Sequence, residues 1–145
     1  MTRLLIDTSV LIKWFHRDGE SELDQARALR SAHVRGEVNA HMLDLAFYEV
    51  GNVLTRALHW AATDVADQLD DLHAILGPAL VMKPAWLRRA ATLAQVHTLS
   101  FYDASWAAMA LELGMPLISA DRQLLAAGIA QSPSEISTRL KLLPS

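Results

Sequence analysis

Asp7 closes a short apolar run, Leu4-Leu5-Ile6, and Asp121 follows another, Leu117-Ile118-Ser119. Both runs read as buried strands. Their carboxylates therefore stand at strand ends, where parallel α/β sheets open the crevice that holds their sites. Asp103 lies on a helical segment, where about 100° per residue puts it about 40° from Ala107, on a small, apolar surface. A carboxylate is costly to bury there without a partner, and no basic residue lies within a turn of it in sequence. Glu49 falls about 40° outside the apolar wedge of its own helical segment, on the side that carries Asn52 and Arg56. Each acid also has a plainer reading. An Asp between strand and helix is a favoured N-cap, Ser100-Phe101-Tyr102-Asp103 has the spacing of a capping box, and Glu49 could be a solvated boundary glutamate.

The four together carry more than any one of them. Carboxylates from two strand ends and two neighbouring helices would repel one another, raise each other's pKa and destabilise the fold unless a cation neutralised them. Oxygen ligands suit Mg²⁺ or Mn²⁺. Zinc is disfavoured, because there are no cysteines and the six histidines (16, 33, 41, 59, 73 and 97) have no ligand spacing. Divalent ions held in this way can polarise a phosphodiester, activate water and stabilise a leaving oxygen.

The elements that must position these acids are short. Strands are expected at 3–6, 38–41, 79–82 and 117–119. Helices are expected at 8–16, 20–35, 43–60, 64–76, 85–97 and 101–113, the last ending at Gly114, with a final short helix starting at Asp121. Along 43–60, the residues Leu43, Ala46, Phe47, Val50, Val53, Leu54 and Ala57 share one wedge of about 120°. Apolar strands alternating with helices imply an α/β fold, a three-layer α/β/α sandwich around a short, mainly parallel sheet. No repeat, low-complexity tract or linker divides the chain, so 1–145 reads as one domain.

Composition sets outer bounds. The chain is 145 residues long, 52% hydrophobic and 20% charged, which excludes disorder. No apolar run approaches the roughly 18–20 residues of a membrane span, and the N-terminus lacks a signal-peptide pattern. With no cysteine, the expected setting is reducing and cytoplasmic. The net charge of −3 gives no hint of nucleic acid, yet neutralising four acids would leave the rest of the chain at +1.

Lys13, His16 and Arg17 follow Asp7 at helical spacing, on one face near the expected pocket. They could bind the phosphates of a nucleic acid or form a solvated helix face. Arg88-Arg89 has the same two readings. Asp64, Asp67 and Asp71 line the polar side of an amphipathic helix and read as a solvated stripe. The tryptophans 14, 60, 86 and 106 sit mostly in apolar settings, which favours packing over base stacking. No GxGxxG, P-loop or GxSxG motif occurs.

The segments Leu5-Ile6-Asp7-Thr8-Ser9-Val10-Leu11, Tyr48-Glu49-Val50-Gly51-Asn52-Val53-Leu54, Tyr102-Asp103-Ala104 and Leu117-Ile118-Ser119-Ala120-Asp121 resemble, in order and spacing, the acidic motifs of PIN-domain ribonucleases. Within that family the chain looks most like the VapC toxins of type II toxin–antitoxin systems. The resemblance implies a PIN-like fold and an acidic catalytic quartet of Asp7, Glu49, Asp103 and Asp121. It further implies Mg²⁺ or Mn²⁺ held by Asp7, Asp103 and Asp121, with Glu49 acting through a water and Ser9 and Ser119 hydrogen-bonding the carboxylates. It also implies an endoribonuclease acting on structured RNA such as transfer or ribosomal RNA, a homodimer, and silencing by a VapB-like antitoxin.

Two other classes compete. A phosphatase-like protein would want a second Asp two residues after the first, where Ser9 stands. A phosphotransfer receiver would want paired acids after the first strand and a Lys after a late strand, and neither is present. An inactive binding module of the same fold would not need all four acids.

Overall fold

A computed structural model describes residues 1–142. Leu4, Leu5 and Ile6 are fully buried in strand β1 (Thr2–Ile6). An unbroken apolar run is what a parallel strand covered on both faces requires. On one side β1 pairs with β2 (Val38–His41), Thr2 opposite Val38, and on the other with β3 (Leu117–Ile118), Leu5 opposite Leu117. β3 pairs with β4 (Ala130–Gln131), which completes a wholly parallel sheet in the order β2-β1-β3-β4.

That order fixes where a site can form. The chain leaves β1 toward β2, then crosses back to β3 and continues to β4, so the direction of winding reverses between β1 and β3. Right-handed crossovers of opposite direction put their helices on opposite faces of the sheet, giving three layers. The first connection holds α1 (Thr8–Leu11), a tight 3₁₀ turn at Ile12–Trp14, and α2 (Leu23–Val34). The second holds α3 (Leu45–Asn52), α4 (Ala62–Leu76), α5 (Pro84–His97) and α6 (Phe101–Leu113). α7 (Arg122–Ala126) leads to β4, and α8 (Pro133–Leu140) returns to pack on α2. Glu22 pins that return by accepting from both the amide and the hydroxyl of Ser134, at 2.9 and 2.6 Å.

The expected α/β class and parallel sheet are observed, and the differences have local causes. The 43–60 helix starts at Leu45 and widens at Val53–Ala57 into a π-helical turn, in which the Leu58 amide donates to the Val53 carbonyl at 3.0 Å. His59, in the left-handed region at φ 56°, follows that turn. The expected strand at 79–82 is only a single parallel bridge, Leu43 to Leu80, because Pro84 opens α5 two residues after Met82 and leaves no room for a ladder. Asp121 does not start the last element: β4 and α8 follow. The cue for α8 was Ser132-Pro133-Ser134-Glu135, which forms a reciprocal capping box with proline in the first turn. Among the described residues no helix is long and apolar enough to cross a membrane.

Candidate active site

The carboxyl ends of β1 and β3 open into a cleft of about 590 Å³, and Asp7, Glu49, Asp103 and Asp121 all line it. They arrive from four elements: the end of β1, α3, the first turn of α6, and the loop after β3. Winding reversal brings the two strand ends together, and α3 and α6 flank the resulting gap.

Asp7 and Asp121 each cap a helix and face the cleft as well. Asp7 Oδ1 accepts from the Ser9 amide at 3.1 Å and the Ser9 hydroxyl at 2.5 Å. Asp121 Oδ1 accepts from the amides of Gln123 and Leu124 at 2.9 and 3.0 Å. In both residues capping occupies one carboxylate oxygen. Ser9 Oγ also accepts from the Ala120 amide at 2.9 Å and lies 3.4 Å from Ser119 Oγ, which accepts from the Asp121 amide at 2.9 Å. The two hydroxyls thus bridge the end of β1 to the turn after β3.

Asp103 makes half of the capping box that its spacing suggested. Its amide donates to Ser100 Oγ at 3.0 Å, but among the described residues its carboxylate accepts nothing from the Ser100 amide. Glu49 is held on one oxygen: Oε1 accepts from Thr8 Oγ1 and from Trp106 Nε1, each at 2.9 Å. Trp106 is only 1% exposed and lies one turn after Asp103, on the same side of α6. The apolar setting of Trp106 favours packing over base stacking and does not point to this bond, and no sequence pattern singles out Thr8. The i, i+3 spacing from Asp103 to Trp106 was the available cue.

The electrostatics are those of a crowded acidic notch. Asp7 is 4% exposed, and burial raises its carboxyl to about 7; the Ser119 and Ser9 hydroxyls offset part of that, while Asp103 and Glu49 add to it. Asp103 is also raised, first by burial, then by the charges of Asp121 and Glu49, with the Ser100 hydroxyl pulling the other way. None of the residues lining the cleft is a lysine, arginine or histidine.

Lys13 does not face this cleft, contrary to the sequence expectation. α1 ends at Leu11 and tightens into the 3₁₀ turn, which breaks the i, i+3, i+4 face. Lys13 is 4% exposed and donates to Glu20 Oε1 at 2.9 Å and to the Ser21 carbonyl at 2.8 Å. His16 and Arg17 lie beyond the turn and outside the lining. The tryptophans pack as expected: Trp14 donates to the Ala26 carbonyl at 2.9 Å, and Trp60 meets Phe15 edge to face.

The donor set fits a hard divalent ion. It is all oxygen, it includes a buried carboxylate with no cationic partner, and Asp103 and Asp121 each keep an oxygen uncommitted. Among the described residues no three carboxylates or histidines close round one point. An ion such as Mg²⁺, which is bound by one or two carboxylates and retains several waters, does not require that they do.

Comparison with known proteins agrees with this geometry. Residues 4–129 match the family model described as the PIN domain. The exonuclease VapC9 of Pyrobaculum aerophilum is 34% identical over 85 residues, a stretch covering 59% of this chain and 64% of that protein, so the match spans just under two thirds of the relative. The crystal structure of PAE2754, also from Pyrobaculum aerophilum, superposes with a TM-score of 0.67 at 27% identity, covering 97% of each chain. A toxin–antitoxin complex from Klebsiella pneumoniae has the same fold, with a TM-score of 0.62 at 20% identity, covering 90% of this chain and 97% of that one. With its parallel sheet, its acidic cleft at the winding reversal and a family match over most of its length, the chain belongs to the PIN domain family.

Proposed function

We propose that this protein is a Mg²⁺- or Mn²⁺-dependent endoribonuclease, the toxin of a VapBC-type pair. The observation that carries the proposal is Asp7: a buried carboxylate with no cationic partner, in a cleft that three further acids share. Folding such a group without a counter-charge is costly, and a divalent ion is the counter-charge that oxygen ligands select.

In this reading Asp7 and Asp103 would ligate the ion directly, with Asp121 supporting it through a water. When bound, it supplies Lewis-acid polarisation of the phosphodiester and stabilises the leaving oxygen. Glu49 orients the attacking water. Thr8 and Trp106 fix its Oε1, which leaves Oε2 to accept a hydrogen bond from that water and draw off its proton. Ser9 and Ser119 hold Asp7 and the Asp121 turn in register. The substrate would be structured RNA, such as transfer or ribosomal RNA. A VapB-like antitoxin and a second copy of the chain are the expected partners, the former in keeping with the VapC name of the Pyrobaculum relative.

Expression of wild type against Asp7→Ala, with growth scored and new RNA ends mapped, tests the proposal. Growth arrest and internal cuts with wild type only are expected. Trimming from RNA ends would instead place the activity with the relative named an exonuclease. No new ends in either culture would refute the proposal.

A further inference from the structure

The cleft poses a problem of affinity. A nucleic acid is a polyanion, and proteins ordinarily hold it by neutralising phosphates with lysine and arginine. Here four carboxylates line the cleft and no basic side chain does. A bound ion would balance part of that charge locally and contribute little along the strand. Within the cleft itself, binding energy must come from groups that do not depend on the sign of the phosphate.

Two such groups stand in the lining. Tyr48 is 74% exposed and Tyr102 is 61% exposed, among the most exposed large apolar side chains of the described chain. Each immediately precedes a cleft acid, Tyr48 before Glu49 on α3 and Tyr102 before Asp103 on α6. Among the described residues neither ring packs on another aromatic, and neither hydroxyl is hydrogen-bonded. Among the described residues nothing covers these two large aromatic faces at the mouth of one cleft. Aromatic faces bind nucleic acid by stacking on bases, at about 1–3 kcal/mol per base and with little dependence on sequence or charge.

We infer that Tyr48 and Tyr102 are the substrate-holding residues of this cleft, stacking on unpaired bases to either side of the phosphate presented to the acids. The inference rests on the nuclease reading above and adds to it the source of affinity and a condition on the substrate. Bases locked in a duplex offer no free face, so the segment in the cleft must be unpaired or splayed open.

The test uses the full-length protein with Mn²⁺ and a short fluorescent RNA, single-stranded or annealed to its complement. Wild type, Tyr48→Ala, Tyr102→Ala, and Tyr→Phe at each position are compared in cleavage, in RNA affinity and in sedimentation. Each alanine variant is expected to raise KM for the single strand roughly 5- to 100-fold with little change in kcat, and phenylalanine to restore it. The duplex is expected to be a poor substrate. Unchanged KM in the alanine variants, with wild type cleaving normally, would overturn the inference and leave the nuclease reading standing. So would alanine variants that dissociate into monomers while RNA affinity holds, since the rings would then cover a second copy of the chain. Failure of wild type to cleave either form would overturn both.

Discussion

Trp106 Nε1 and Thr8 Oγ1 donate to the same carboxylate oxygen, Glu49 Oε1, each at 2.9 Å. The three residues lie on α6, α1 and α3, so one glutamate joins the helices that wall the cleft. Trp106→Phe keeps most of the ring bulk and removes one donor. It should cost about 1–3 kcal/mol of stability, as expected for a partly buried bond to a charged group. It should also lower kcat more than it raises KM, because Glu49 loses its fixed orientation. Denaturant melts and steady-state kinetics check both effects, and Thr8→Val should act in the same direction.

Asp7 gives the metal-free protein an unusual dependence on pH. Its folded-state pKa, about 7, lies above the ordinary 3.8. Between those values the folded chain keeps a proton that the unfolded chain has released. This contribution to stability is therefore full below about pH 4, falls as pH rises through the window, and is gone above about pH 7. With chelator present, melts across this range should show stability declining toward neutrality. Asp7→Asn, whose Oδ1 still caps α1, should flatten the decline and be the more stable protein near pH 8, by on the order of a few kcal/mol.

Lys13 supports the loop after the 3₁₀ turn. Lys13→Ala leaves Glu20 and the Ser21 carbonyl without their donor and should destabilise the fold by about 1–3 kcal/mol. The salt dependence of RNA binding should not change. A flattened salt slope with unaltered stability would return Lys13 to the surface role that its spacing first suggested.

Much of the site was legible in the sequence because its acids are tied to element boundaries. Asp7 and Asp121 follow apolar runs too short to be anything but strands, and Asp103 sits three residues after a serine N-cap. The direction of each side chain was not legible. Lys13 shared a helical spacing with His16 and Arg17, but the spacing holds only while the helix stays α, and the tightening at Ile12 turns Lys13 inward. Trp106 looked like core and is core, and its indole N–H still reaches into the cleft. At 79–82 and after Asp121 the fold departs from the sequence pattern, because pairing there depends on partners distant in sequence: Leu80 finds Leu43, and β4 finds β3. No local pattern specifies those contacts.

Asp103 separates chemistry from folding. Its amide makes the cap with Ser100 and its carboxylate does not return the bond, so Asp103→Asn keeps the cap. The variant should lose cleavage by two orders of magnitude or more, about the loss expected on removing a principal catalytic group. Its metal-free melting temperature should match or exceed that of wild type, because the repulsion from Asp121 and Glu49 is relieved. Unfolding of the variant would mean that the carboxylate serves structure first.

The central claim is that this acidic cleft takes a divalent cation, and Mn²⁺ binding followed by electron paramagnetic resonance tests it most directly. Wild type should show saturable binding that Mg²⁺ displaces, and Asp7→Asn and Asp103→Asn should each lose it. Equal binding in all three proteins, or none in wild type up to millimolar Mn²⁺, would contradict the account.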